Sequence, residues 1–440
     1  MNEKAAETAQ NANNTNEKVK SGDVNSNPIG RELDLFVKQI DSLADTLPEA
    51  IGVIQKVNLS SMRDFADFLA NECTAKPGDG GKTEYRMNVG KYLKYRRLQG
   101  RFQKAQLAQQ IVPRTFLVSL VSQFDAFLGR LIKQLFNLKP EALDVAEGTL
   151  TFSQLVEFGS IENAKDYVVE KEIESVLRRS HAEQFDWLEN KFGLKLRVNL
   201  HAWPVFIELT ERRNLFVHSN GLVSRQYLNV CKRHGSALEP DARLGKSLGV
   251  TREYFETAHE CLFEIGVKLA QVLWRKLTPD DLDGADQNLL GVGYELLDEA
   301  RYRLARCLLD FSTETLKRHG KEDVRLSMVV NRAQAYKWSG DDDSATRIIS
   351  EVDWSATAPK FQLAQAVILN QFDKALQIMT NLGKSDAHLM KMAYREWPLF
   401  KELRKVPGFS RTFEEIFGEP LNTVTVDTPP LATESTGIVQ

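Results

Sequence analysis

The stretch Trp203 to Gly221, WPVFIELTERRNLFVHSNG, decides how this chain is read. At about 100° per residue, Asn214 and His218 share one helix face, with Glu211 close to the same line. Val205, Phe206, Leu209, Phe216 and Val217 gather on another face, and Arg213 lands among them. An arginine in an apolar stripe needs a partner or an opening onto something anionic. Ser219, Asn220 and Gly221 form a helix stop, which places His218 in the last turn. The helix dipole there favours a protonated imidazole, as suits a proton donor.

Working outward, Pro113 opens a long predicted helix, RTFLVSLVSQFDAFLGRLIKQLF, with Leu117, Leu120, Val121, Phe124, Leu128, Leu131 and Leu135 on its apolar face. Asp125 lies at the edge of that face beside Val118, Ile132 and Phe136, where a carboxylate is costly without a cation. Asp125 and Arg213, each stranded among apolar residues, are therefore expected to pair or to share one polar cleft. Weaker helical stretches, Phe152 to Phe158 and Asn163 to Glu189, lead to the central helix. A closing helix runs from Thr251 to about Leu277, with Phe255, Leu262, Ile265, Leu269 and Leu273 at apolar spacing.

Within the central stretch, Arg213-Asn214-Leu215-Phe216-Val217-His218 reads Arg-Asn-x-x-x-His. In this form it resembles the signature of HEPN domains (higher eukaryotes and prokaryotes nucleotide-binding), and the helix carrying Asp125 is similar to the first helix of that family. A second Arg/His pair, Arg252 and His259, has comparable spacing and is given no role. The resemblance covers about Pro113 to Leu277. It implies a metal-independent endoribonuclease, a homodimer in which two copies of the motif meet in one composite cleft, and a bacterial toxin or antiphage-defence setting.

The residue types fit that chemistry. Cleaving RNA without a metal uses the substrate's 2′-OH as nucleophile. It needs a group that moves protons near neutral pH, for which His218 is suited. It also needs fixed positive charge at the phosphorane, for which Arg213 or Arg212 is suited. Asn214 can orient the imidazole or bind a phosphate oxygen, and Asp125 and Glu211 are expected in support. No cofactor is expected, and no metal, because no His/Asp/Glu cluster stands at ligand spacing. The competing reading is a non-catalytic HEPN module in a sensor or scaffold protein that binds RNA or a protein partner.

Composition bounds the rest. A chain of 440 residues can hold two or three domains with real cores. Hydrophobic content of 42% and charged content of 27% are ordinary for a globular protein. A net charge of −3 argues against a wholly basic nucleic-acid-coating protein while leaving room for a local patch. Cys73, Cys231, Cys261 and Cys307 are widely separated and read as reduced packing residues. No signal peptide opens the chain and no run is expected to span a membrane, so a cytoplasmic location is expected.

The expected organisation is all-α. A disordered tail over 1–30 precedes an N-terminal helical segment over 31–110, with Leu33, Leu35, Phe36, Ile40, Leu43 and Leu47 in one helix and Met62, Phe65, Phe68 and Leu69 in a second. The segment Lys76 to Thr83 ends Gly-Lys-Thr, but it lacks the first glycine and the buried strand of a phosphate-binding loop, so it reads as a flexible loop. From Lys82 to Lys104 the chain carries eight Lys/Arg against one acidic residue, Glu84. Tyr85, Tyr92, Tyr95 and Phe102 are interleaved with Arg96, Arg97 and Arg101. That pattern reads first as a solvated basic face with inward-packed aromatics; the alternative is cations and rings turned to RNA, and both can hold.

The HEPN-like domain is expected over 111–278. A Pro/Gly/Asp-rich linker at Thr278 to Asp286 follows, then a degenerate tetratricopeptide-like array over 285–420. Ala335-Tyr336, Gly340 and Ala345 have that repeat's spacing. Asn370 and Ala375 keep only the turn-to-Ala offset, about 30 residues on. Such arrays present a concave surface to a peptide or protein; a plain helical bundle is the alternative. Trp397, Phe400 and Phe409 close the array, and 421–440 reads as a second disordered tail.

Overall fold

The computed structural model describes residues 27–77, 83–143, 150–240, 242–386 and 389–423. The expected tails over 1–26 and 424–440 and the Gly-rich part of the 76–83 segment lie outside them. Among the described residues the fold is all-α, with a single two-stranded hairpin. It divides into two compact units, residues 1–288 and 289–440.

The first unit is built on two long helices, α1 (Pro28–Glu72) and α2 (Tyr92–Leu138). The antiparallel strands β1 (Thr74–Pro77) and β2 (Thr83–Arg86) join them. At 45 and 47 residues, each helix is about 70 Å long. They run antiparallel: Phe36 stacks on Phe127 at 4.5 Å, Phe65 on Phe102 at 6.0 Å, and Arg130 Nε meets Glu32 at 2.7 Å.

Four expectations are corrected here. The helical segments around Leu33–Leu47 and Met62–Leu69 are one helix, with Pro48 inside it. Pro113 does not open a helix but sits inside α2. A proline in a helix removes one hydrogen bond and strains the turn before it, yet packing of α1 along α2 on both sides outweighs that local cost. Residues 27–30 are not tail. The Asn27 side chain accepts from the Ile29 amide at 2.9 Å and donates to Asp281 at 2.9 Å, with Pro28 in the first turn. The expectation about spanning runs also changes, because α2 contains a window long and apolar enough to cross a membrane by length and composition. In this fold that helix is central, and Leu117, Phe124, Leu131 and Phe136 are fully buried.

Five helices and a closing one follow: α3 (Phe152–Phe158), α4 (Ile161–Leu177), α5 (His181–Phe192), α6 (Trp203–His218), α7 (Arg225–Arg233) and α8 (Arg252–Leu277). The stretch Asn163 to Glu189 is thus two helices, divided where Ser180 and Glu183 form a capping box that starts α5. Helix α8 lies so close to α1 that an added Cβ at Gly266 would run into the Phe36 ring.

Helix α6 ends at His218, as the stop signal predicts. Asn220 (φ 48°) and Gly221 (φ 80°) reverse the chain, and the amides of Ser219 and Gly221 both reach Leu215 O at 2.9 Å. Of its expected apolar stripe, Phe206 and Leu209 are buried, whereas Val205 and Val217 are 40% and 51% exposed. The buried face instead includes Trp203, Ile207, Glu208, Glu211, Arg212 and Leu215.

The boundary between units falls inside α9 (Leu282–Asp298). Of the expected linker, residues from Leu282 onward are helical, and Asp286 is buried against Arg275 at 2.5 Å. The second unit continues with α10 (Tyr302–Asp310), α11 (Glu322–Trp338), α12 (Asp342–Ser350), α13 (Pro359–Ile368), α14 (Phe372–Leu382), α15 (Lys391–Glu396) and α16 (Pro407–Phe417).

Three of its helix turns are built alike. Ala300, Gly340 and Asn370 have φ of 58°, 87° and 57°. In each the following amide bonds back across the turn: Arg301 N to Leu296 O at 2.8 Å, Asp341 N to Tyr336 O at 3.0 Å, Gln371 N to Ala366 O at 2.8 Å. These are Schellman closures. Five residues beyond each turn a buried alanine follows, Ala305, Ala345 and Ala375. Phe400 and Phe409 are buried in this unit's core and Trp397 packs against it.

Candidate active site

Three helices bring the polar residues of the first unit together. The middle of α2 supplies Asp125, the first turn of α5 supplies His181, and α6 supplies Glu211, Arg213 and Asn214. Arg213 Nη2 donates to Asp125 Oδ2 at 2.6 Å, so the expected pairing is present. The other carboxylate oxygen, Oδ1, lies 2.8 Å from His181 Nε2. Asp125 therefore bridges the arginine and a histidine that sequence reading did not single out. His181 is buried, with the Phe124 and Phe206 rings 6.3 and 5.5 Å from its own. The signal for it was the Ser180-x-x-Glu183 capping pattern, which fixes the helix start at His181. Arg213 Nε is buried with no hydrogen-bond partner.

Glu211 lies under this cluster, buried, and accepts from Asn214 Nδ2 at 3.4 Å. Burial pushes its carboxyl above the ordinary value of 4.5, while His181, Asn214 and Arg213 pull it down without cancelling that rise. A native carboxyl held above its unfolded value favours the proton. Its contribution to stability is therefore full below pH 4.5 and is lost as pH rises through the native value. Glu211→Gln should raise the melting temperature at neutral pH and lose that advantage in acid; a melting-temperature profile against pH reads both.

His218 stands apart. It is exposed, and among the described residues it makes no hydrogen bond or ion pair. It lies five positions after Arg213, which puts the two side chains about 140° apart around α6 and about 7.5 Å apart along it. Asn214 is closer in angle, about 40° away. A further cation missed by sequence reading lies at the same helix end. Arg114 donates to Leu248 O at 2.8 Å, to Ser247 Oγ at 3.1 Å and to Asn220 O at 3.3 Å, with its guanidinium 5.2 Å from the Phe216 ring centre.

Arg212 is placed differently from the expectation that made it an alternative to Arg213. It is 1% exposed. Its Nε bonds Glu208 Oε1 at 2.7 Å, its Nη1 bonds Glu239 Oε1 at 2.7 Å and Gly249 O at 3.2 Å, and the guanidinium stacks 3.9 Å from the Tyr254 ring centre. A phosphate could reach it only by unpacking the fold. Arg96, Arg97 and Arg101 are exposed on the N-terminal half of α2; Arg101 and Asp125 are separated along that helix by about 36 Å. Of the tyrosines around them, Tyr95 packs inward, against Phe65 at 5.7 Å and Phe68 at 6.4 Å, whereas Tyr85 and Tyr92 are exposed. Among the described residues, no three or more His, Cys, Asp or Glu side chains are grouped to hold a metal ion. Compared with protein-family models, with curated proteins and with solved structures, the chain matches none of them.

Proposed function

We propose that this chain is a metal-independent endoribonuclease of HEPN type, acting as a homodimer through its central helical domain. The observation that carries the reading is a contrast within α6. Arg213 is held in place by Asp125, while His218 is exposed and uncommitted at the helix end. A cation that stabilises a phosphorane works best when pre-positioned, and a group that moves protons must be accessible. The 2′-oxygen of the substrate attacks phosphorus and loses its proton. The bond to the 5′-oxygen breaks, that oxygen gains a proton, and a cyclic phosphate and a 5′-OH result. His218 handles the proton and Arg213 faces the developing charge.

Because Arg213 and His218 point to different sides of one helix, a two-fold axis that brings one protomer's His218 beside its partner's Arg213 completes the site. The setting that fits is a cytoplasmic toxin or antiphage effector. Light scattering at micromolar concentration, with and without RNA, should show a dimer; monomer under both conditions removes the composite site. Cleavage of RNA should persist with chelator present.

A second reading is favoured by the bridge through Asp125. If Arg213 serves only to neutralise that carboxylate, the domain is a non-catalytic HEPN-like scaffold or sensor. The second unit would then be the working surface. Its three Schellman closures, each with a buried alanine at the same offset, support a tetratricopeptide-like array that receives a protein partner. A folded, dimeric chain that leaves RNA intact decides for this reading.

A further inference from the structure

We infer that the groove along the N-terminal half of α2 is a binding site for single-stranded RNA, distinct from the α6 site. The inference deepens the ribonuclease reading by naming where substrate is held before it reaches His218. The groove is open to solvent, offers about 550 Å³, and is lined by Val57 on α1 and by Arg96, Arg97, Gly100, Arg101, Lys104 and two alanines on α2.

Four of those residues are cations and none is acidic. On the same helix the chain neutralises cations when it needs to: Glu72 takes Lys91 and lies 3.8 Å from Lys94. In the groove only Arg101 has such a partner, Asp64 at 3.0 Å, and that pair is exposed. Arg96, Arg97 and Lys104 are exposed and make no ion pair among the described residues. Arg97 and Arg101 stand one helical turn apart, a like-charge spacing that destabilises an isolated helix. An anion in the groove removes that repulsion.

Gly100 and the two alanines lie among the cations and add no side chain long enough to screen them. A two-fold contact of this face with itself would set like charge against like and be repelled. At one end of the groove Tyr92 is half exposed, stacked on Tyr95 with ring centres 6.3 Å apart, and offers a face to an unstacked base. Phosphates on cations with bases on a ring is the way single strands are held without sequence preference.

The test uses the full chain carrying His218→Ala, so that RNA is bound and not cut. A labelled oligouridine is titrated across a range of salt concentrations. The triple variant Arg96→Ala/Arg97→Ala/Lys104→Ala removes only exposed, unpaired side chains, and an unchanged melting temperature confirms that it folds. Each phosphate contact contributes about 0.7 to the slope of log affinity against log salt, so the triple variant should lower the slope by about 2 and weaken binding at low salt by roughly tenfold or more. An unchanged slope and affinity overturn the inference. So does binding of polyglutamate that is lost in the triple variant while oligouridine does not bind, which assigns the groove to acidic peptides. Binding in the groove by a wild-type chain that never cuts RNA refutes the nuclease reading and leaves the groove standing.

Discussion

His218→Ala is expected to lower RNA cleavage by about 10²–10⁴-fold, the usual worth of a general acid–base group, while leaving the melting temperature unchanged. The stability half of this expectation follows from place. His218 is exposed, makes no hydrogen bond or ion pair among the described residues, and sits in the last turn before Asn220 and Gly221 close the helix. Removing it opens no cavity and strands no polar group, and such surface substitutions change stability by only about 0.5 kcal/mol or less. The activity half follows from the chemistry proposed for it. If a folded His218→Ala chain still cuts RNA with chelator present, the proposed mechanism is refuted and the scaffold reading leads. Arg213→Ala is a weaker probe, because it also strips Asp125 of its cation and leaves His181 against an unbalanced carboxylate.

The sequence carried the pairing of Asp125 with Arg213 because each was a charge in an apolar pattern, and a buried charge must find its opposite. The end of α6 was legible for a comparable reason: Ser-Asn-Gly is a local backbone signal, and the chain obeys it there. What was not legible depends on distance in sequence. Arg212 and Arg213 are neighbours with the same chemistry, and only the arrangement of Glu208, Glu239 and Tyr254 around α6 decides which one is enclosed. His181 belongs to the cluster through a contact with Asp125 across 56 positions.

Pro113 misled, and the N-terminal helix was read as two, since the packing of two long helices against each other outweighs a local break. In the second unit the turns at Gly340 and Asn370 could be read from residue type. The third, at Ala300, could not, because alanine at positive φ has no sequence signature.

Arg212→Ala should cost about 3–5 kcal/mol of stability in the first unit, the range for removing one partner of a buried ion pair. Burial works against the Arg212 charge, but Tyr254, Glu208 and Glu239 outweigh it and hold the guanidinium's proton more tightly than usual. Its main partner, Glu208, is itself buried and also accepts from the Tyr227 hydroxyl at 2.5 Å and the Tyr254 hydroxyl at 2.6 Å. Burial, reinforced by Glu208, keeps both phenols protonated well above the ordinary tyrosine range. They therefore go on donating to Glu208 when the arginine is gone, but two neutral donors do not balance a buried carboxylate, and the stacking on Tyr254 is lost with the side chain. Arg212→Lys keeps the charge without the planar fork that reaches Glu208, Glu239 and Gly249 together, so its loss should be intermediate. Denaturant unfolding of the three chains orders them. A stable Arg212→Ala chain that binds RNA normally but no longer cuts it would contradict this ordering and would move the phosphate-facing role from Arg213 to Arg212.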